Sequence, residues 1–177
     1  MYGVVSLLDE DHHEQMEDLW KEFNTVLGFH GVSQTPIPHF SYHVAQRYDI
    51  RKLTKLLTLT TKQIRPFKIK TTGLGIFTGL VPVLHVPIML DKHLRNIHHH
   101  MWRAVSEVAK DAIPYYHPDN WMPHITVTHG DVDHEMLPKV IRLLSDRDFN
   151  WEITIDNIAI IGGDDEPHRI ISEFSLS

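Results

Sequence analysis

The chain has 177 residues, 42% of them hydrophobic and 23% charged, with a formal net charge of −6 and no cysteine. This length gives one domain with a real core, and the missing cysteine excludes disulfides, thiolate nucleophiles and zinc–thiolate sites. The negative balance argues against a broad nucleic-acid-coating surface, while leaving room for one nucleotide end in a local pocket.

Residues 2–8 read as a buried strand. They are followed by Asp9-Glu10-Asp11 and lack the basic start and cleavage site of a signal peptide. Asp9 or Asp11 caps a helix whose apolar positions Met16, Leu19, Trp20, Phe23, Val26 and Leu27 recur every three or four residues, with Gly28 and Gly31 ending it. A loop over 33–38 leads to a strand over 39–46. Asp49 opens a second helix (Ile50, Leu53, Leu56, Leu57) that Pro66 stops. Residues 67–71 alternate as a strand, continued by 73–77 past a bulge, and 83–90 form the next strand. Asp91 starts a helix with Leu94, Ile97, Met101, Val105 and Val108 on one side. An aromatic loop follows, from Pro114 to Trp121, before another strand. A fourth helix carries Pro138 in its first turn, and 151–161 and 168–176 are strands joined at Gly162-Gly163-Asp164. The longest apolar stretch, 80–90, contains Pro82, His85 and Pro87 and is too short to span a bilayer. A soluble, cytoplasmic protein without a membrane partner is the expectation.

Two stretches share one pattern: Pro38-His39-Phe40-Ser41-Tyr42 and Pro123-His124-Ile125-Thr126-Val127. Side chains alternate faces along a strand, so each motif offers an imidazole and a hydroxyl on one face and apolar backing on the other. The motif histidines lie 85 residues apart, and Phe67 and Trp151, like Gly73 and Asn157, lie 84 apart. The order strand, helix, motif strand, helix, strand therefore occurs twice. It implies one domain over 1–177 made of half-repeats, about 1–80 and 81–177, as two similar lobes across a cleft.

The paired motif, each copy preceded by proline and set in matching half-repeats, resembles the two-histidine phosphoesterase superfamily. That superfamily includes 2′,5′-RNA ligase-like proteins and cyclic nucleotide phosphodiesterases. The resemblance implies a bilobal α+β fold, with two antiparallel sheets lining a central cleft and helices outside. It implies catalysis by His39 and His124, phosphate binding by Ser41 and Thr126, no metal or other cofactor, and a nucleotide or RNA end as substrate. Serine in the first motif, where threonine is usual, is a departure that the family tolerates.

The residue chemistry agrees. An imidazole, with ordinary pKa near 6.5, serves as base or acid around neutrality. Opening a 2′,3′-cyclic phosphate requires one group to deprotonate water and another, opposite, to protonate the departing sugar oxygen; each transfer contributes roughly a hundred- to ten-thousandfold. Hydroxyls at 41 and 126 would bond the non-bridging oxygens where charge builds. The same site run backwards would join a cyclic phosphate to a 5′-hydroxyl. Either histidine can be the base, and no oligomeric state is implied.

Around this centre, Tyr115, Tyr116 and Trp121 are placed either to stack on a base or to close a loop over the core. Arg47 could pair with a phosphate. His43 and its counterpart Thr128 share parity with the motif residues, so both are expected on the cleft face, with His43 tuning substrate binding. With 15 histidines in the chain, most must be surface or core residues, and His98-His99-His100 and His12-His13 are read as solvated helix flanks. A rival reading is a metallohydrolase using His39, His43, His124 and Asp131 or Asp133. A third is a nucleotide-binding module with the fold kept and catalysis weak. P-loop and Rossmann signatures are absent.

Overall fold

The computed structural model describes residues 1–130 and 132–177, so Asp131, weighed above as a metal ligand, lies outside the described residues. The helices start where carboxylates meet open amides. Asp9 accepts from the His12 amide at 3.2 Å at the head of α1 (Glu10–Glu22). Asp49 does the same for Lys52 at 3.1 Å in α2 (Ile50–Thr60), and Asp91 for Leu94 at 2.7 Å in α3 (Lys92–Ser106). Each satisfies an N–H that the first turn leaves unpaired, typically worth about 1 kcal/mol. α1 runs into a π-helical turn, Phe23–Leu27, and stops at Gly28, whose φ of 76° suits a residue without a Cβ. α4 (Leu137–Leu144) carries Pro138 in its first turn.

The strands are β1 (Tyr2–Leu7), β2 (His39–Tyr48), β3 (Phe67–Lys70), β4 (Gly75–Phe77), β5 (Val83–Pro87), β6 (Ala109–Ala112), β7 (His124–Thr126), β8 (Glu152–Ile155), β9 (Asn157–Gly162) and β10 (Arg169–Ser175). A five-stranded sheet runs β10-β9-β1-β2-β6, a three-stranded sheet runs β4-β5-β7, and β3 pairs with β8 in a separate ribbon. All named pairs are antiparallel. The fold is therefore α+β, with the two larger sheets carrying one motif strand each.

Each large sheet draws on both halves of the chain: the five-stranded sheet takes β6, β9 and β10 from the second half, and the three-stranded sheet takes β4 from the first. β9 lies beside β1, and β4 lies beside β5. Residues 73–77 thus do not prolong β3, as the sequence suggests, but cross into the other sheet. Residues 151–161 likewise divide at Asp156 between the ribbon and the large sheet. The strand β6 leaves no mark in the sequence, because Ala-Lys-Asp-Ala has no apolar alternation to announce it.

One main core runs through the molecule, and its largest fully buried side chains include Tyr42, Phe23, Phe40 and Met16. Burying each aliphatic or aromatic group of this kind contributes roughly 1.5–3 kcal/mol. A smaller cluster of Val5, Leu7, Ala159 and Ile161, with Ile37 against it, fills the other face of the large sheet. β9 is accordingly buried along its whole length.

Candidate active site

His39 and Ser41 on β2, and His124 and Thr126 on β7, line one cleft of about 720 Å³. The local construction is the same on both strands. His39 Nδ1–H donates to the Ile37 carbonyl at 2.5 Å, and His124 Nδ1–H donates to the Met122 carbonyl at 2.7 Å. Only Pro38 or Pro123 stands between, and its fixed φ holds the carbonyl in place. The next contacts match too: the Leu8 amide bonds the Pro38 carbonyl, and the Ile88 amide bonds the Pro123 carbonyl. A carbonyl can only accept, so both imidazoles carry hydrogen on Nδ1 and keep Nε2 for chemistry.

Burial pushes His39 down from its ordinary value to about 4. The Ile37 carbonyl opposes that shift, and the neighbouring imidazoles of His124 and His168 reinforce it. His124 is lowered as well, by burial against the support of Met122. Phe77 packs edge-on to His124 with centroids 4.9 Å apart, and it stacks at 3.9 Å on His85, the cross-strand partner of Thr126. Gly75 makes room for this stack, since a Cβ there would come within 2.4 Å of the His85 ring.

The aromatic residues singled out in the sequence do reach the cleft, in different ways. Tyr115 is 79% exposed at its mouth. Tyr116 is mostly enclosed and hydrogen-bonds the Ser41 side chain; burial pushes its phenol up. Trp121 is a wall, only 5% exposed. Its indole N–H donates to the Ser41 carbonyl at 2.9 Å and its ring lies flat on His98 at 3.7 Å.

Three expectations are corrected. His43 does not face the cleft. Val5 pairs with Ser41 but Val4 pairs with His43, so Tyr42 is an extra residue and the strand's parity inverts there. His43 is fully buried on the α3 side, bonded to the Tyr48 hydroxyl at 2.5 Å and the Ser106 hydroxyl at 3.2 Å, with Trp102 at 4.3 Å. Thr128 is inverted by the same device. The Val127 and Thr128 amides both bond the Leu84 carbonyl, and the buried Thr128 hydroxyl accepts from the Leu84 amide. Arg47 is exposed, opposite Lys110 on β6, and is not part of the cleft wall.

The solvated-flank reading fails for His98, which is buried and shares its Nε2–H between the Tyr42 and Tyr116 carbonyls at 3.1 Å each. It thereby ties α3 to both β2 and the aromatic loop. The ligand set of the metallohydrolase reading is not gathered. His43 is on the far face, and Asp133 caps the approach to α4 by accepting from the Glu135 and Met136 amides. Among the described residues no group of three His, Asp or Glu is placed to hold a metal ion. No helix of the described residues is long and apolar enough to cross a membrane.

The structure also adds cleft residues that the sequence did not flag. His168, at the foot of β10, donates its backbone N–H to Gln34 and meets the Thr35 hydroxyl through Nδ1, both at 2.9 Å. This holds the 33–37 loop beside His39. Gln34, Thr35, Thr78 and His129 complete the polar wall. They stand on loops and strand ends, where no periodic pattern could mark them.

Two sheets that each present an X-Pro-His-x-hydroxyl strand to one cleft define a two-histidine phosphoesterase fold. The chain belongs to the 2′-5′ RNA ligase superfamily, whose profile matches residues 8–167. Among solved structures it is similar to TT0787 of Thermus thermophilus, with a TM-score of 0.64 at 16% identity over 99% of this chain and 97% of that one. It is also similar to E. coli LigT complexed with 3′-AMP, with a TM-score of 0.62 at 12% identity over 99% and 97%. LigT complexed with NADP+ gives 0.57 at 10% identity over 99% and 96%. No curated protein sequence matches closely enough to add to this.

Proposed function

We propose that this chain is a metal-independent phosphoesterase acting on 2′,3′-cyclic phosphates or on 2′,5′-linked nucleotide and RNA ends. The observation that carries the reading is the pair of imidazoles on separate strands of one cleft. Each is fixed by a backbone carbonyl through Nδ1 and leaves Nε2 free beside a hydroxyl.

In the hydrolytic direction His39 is the base. It is the more enclosed histidine, held to about 4 by burial and faced by His124 and His168, so it is neutral near pH 7 and its Nε2 lone pair can take a proton from water. His124 is the acid, protonating the departing sugar oxygen; the incoming phosphate's charge stabilises its imidazolium. Ser41 and Thr126 donate to the non-bridging oxygens, and Tyr116 supports Ser41. Tyr115, exposed at the mouth, is the platform for a base, and Trp121 the wall behind the phosphate. LigT structures in complex with 3′-AMP, NADP+ and ATP support a nucleotide-bearing substrate.

The test is a screen of EDTA-treated protein against 2′,3′-cyclic mononucleotides, cyclic-phosphate RNA ends and 2′,5′-oligonucleotides. Turnover that survives chelation is the expected result. Activity lost to EDTA and restored by zinc or manganese would overturn it.

A further inference from the structure

Among the described residues, the cleft wall holds no Lys, Arg, Asp or Glu side chain. Its polar groups are imidazoles, hydroxyls and the amides of Gln34 and Asn120. The basic residues nearest along the chain are not among its lining, and Lys21, next to Trp20, pairs with Asp18 at 2.9 Å. Arg169 is exposed on β10, opposite Gly162, and Arg47 and Lys110 face each other across β2 and β6. The Met1 amine, at the rim, donates to the Gly163 carbonyl at 3.3 Å.

The rim is acidic. Gly162 and His168 both line the cleft, and the hairpin between them carries Asp164, Asp165 and Glu166, all exposed. Asp164 accepts from the hydroxyl of Tyr2, itself a cleft residue. On the aromatic side Asp119, also exposed, adjoins the lining Asn120.

Resting on the cyclic-phosphodiester reading, we propose that the cleft is selective for a small substrate carrying one phosphodiester charge beside one flat ring. It discriminates against polyanions, whether longer RNA ends or nucleotides with additional phosphates. A single phosphate meets hydroxyls and two imidazoles. Every further phosphate meets a rim on which the carboxylates of Asp119, Asp164, Asp165 and Glu166 outnumber the guanidinium of Arg169, where a nucleic-acid site would offer Lys or Arg throughout. Such a site loses affinity as salt rises, with a logarithmic slope of about 0.7 per neutralised phosphate on single strands. Here the sign reverses. Salt screens the rim from the RNA, over about 10 Å at 0.1 M, and long substrates bind better for it.

The experiment measures kcat/KM for a 2′,3′-cyclic mononucleotide, its 5′-phosphorylated form, and a short single-stranded RNA ending in the same cyclic phosphate, at low and high salt. The mononucleotide should lead by about tenfold or more at low salt, equivalent to about 1.4 kcal/mol, and the RNA's KM should fall as salt rises. RNA turned over as well as the mononucleotide, with KM rising with salt, overturns the proposal. Asp165→Lys with Glu166→Lys should raise kcat/KM for RNA several-fold and leave the mononucleotide within about twofold; RNA values unmoved by this reversal would also overturn it. If no cyclic phosphate is turned over, the catalytic reading fails while the selectivity remains testable by titration. A nucleoside 3′-monophosphate should then bind more tightly than the 3′,5′-bisphosphate, and equal or reversed affinities would sink the selectivity on its own.

Discussion

Ile37-Pro38-His39 on β2 and Met122-Pro123-His124 on β7 are built alike and placed in unlike surroundings. Both histidines are pinned through Nδ1 to the carbonyl two residues back. Around His39 stand the 33–37 loop and His168, and burial takes its pKa to about 4. Around His124 stand Phe77 and His85, with burial again the cause of its lowered pKa. The shared device sets the tautomer, and in the proposed mechanism the different surroundings make one histidine the base and the other the acid. A symmetric frame can thus hold a base and an acid without different residue types.

The largest effect expected from breaking either copy is on turnover. His39→Ala and His124→Ala should each lower kcat by at least about a hundredfold, the scale of a lost positioned acid or base. The double variant should lose less than the product of the two, since they act as a unit. Steady-state kinetics on folded variants checks this, and near-normal turnover in either would remove the two-histidine mechanism.

The hydroxyls offer a smaller asymmetry. Losing one anion-stabilising donor can cost up to about a hundred- to a thousandfold. Ser41 hydrogen-bonds the Tyr116 hydroxyl, which loses that partner when the serine is removed and would then be free to donate to the phosphate. Ser41→Ala should therefore cost roughly tenfold in kcat, and Thr126→Val several times more. Equal losses would show that Tyr116 does not compensate.

The pH profile sharpens the division without mutation. In the free enzyme the base is neutral above about 4. The acid is protonated only below a pKa that lies under 6.5. The kcat/KM profile should be bell-shaped with its maximum on the acid side of 6.5. In kcat the alkaline limb should move to higher pH, because bound phosphate stabilises the imidazolium. A kcat/KM rising steadily into the alkaline range contradicts this assignment.

Much of this frame is legible in the chain. The caps at Asp9, Asp49 and Asp91, the apolar stripes of the helices and the two motif strands follow from local chemistry that tertiary packing does not override. What the sequence conceals is non-local. Nothing in Gly75-Ile76-Phe77 says that it will leave β3 and join the sheet of the second motif strand, and nothing in Ala-Lys-Asp-Ala says that β2 needs an edge partner. The loop residues beside His39 are invisible for the same reason. The bulges matter most, because one extra residue reverses every later side chain in its strand.

His43 shows what that reversal means for experiment. Parity puts it in the cleft, where its loss would raise KM. The bulge at Tyr42 instead seats it between Tyr48, Ser106 and Trp102, away from substrate. His43→Ala should then leave KM and kcat near normal in the folded protein. It deletes a packed ring and leaves two hydroxyls without their partner, together about 2–4 kcal/mol. For a protein of this size that lowers Tm by roughly 5–15 °C. The sign of its pH dependence can be worked out too. Burial first, then nearby His98, pushes His43 down to about 4, whereas the unfolded imidazole titrates near 6.5. As pH falls through 6.5 the unfolded chain takes up a proton that the folded chain refuses, so stability drains away until about pH 4. Urea unfolding of the wild type should therefore become easier across that window, and His43→Gln should flatten the slope by up to one proton's worth. An unchanged slope, or a raised KM with normal Tm, would return His43 to the cleft face.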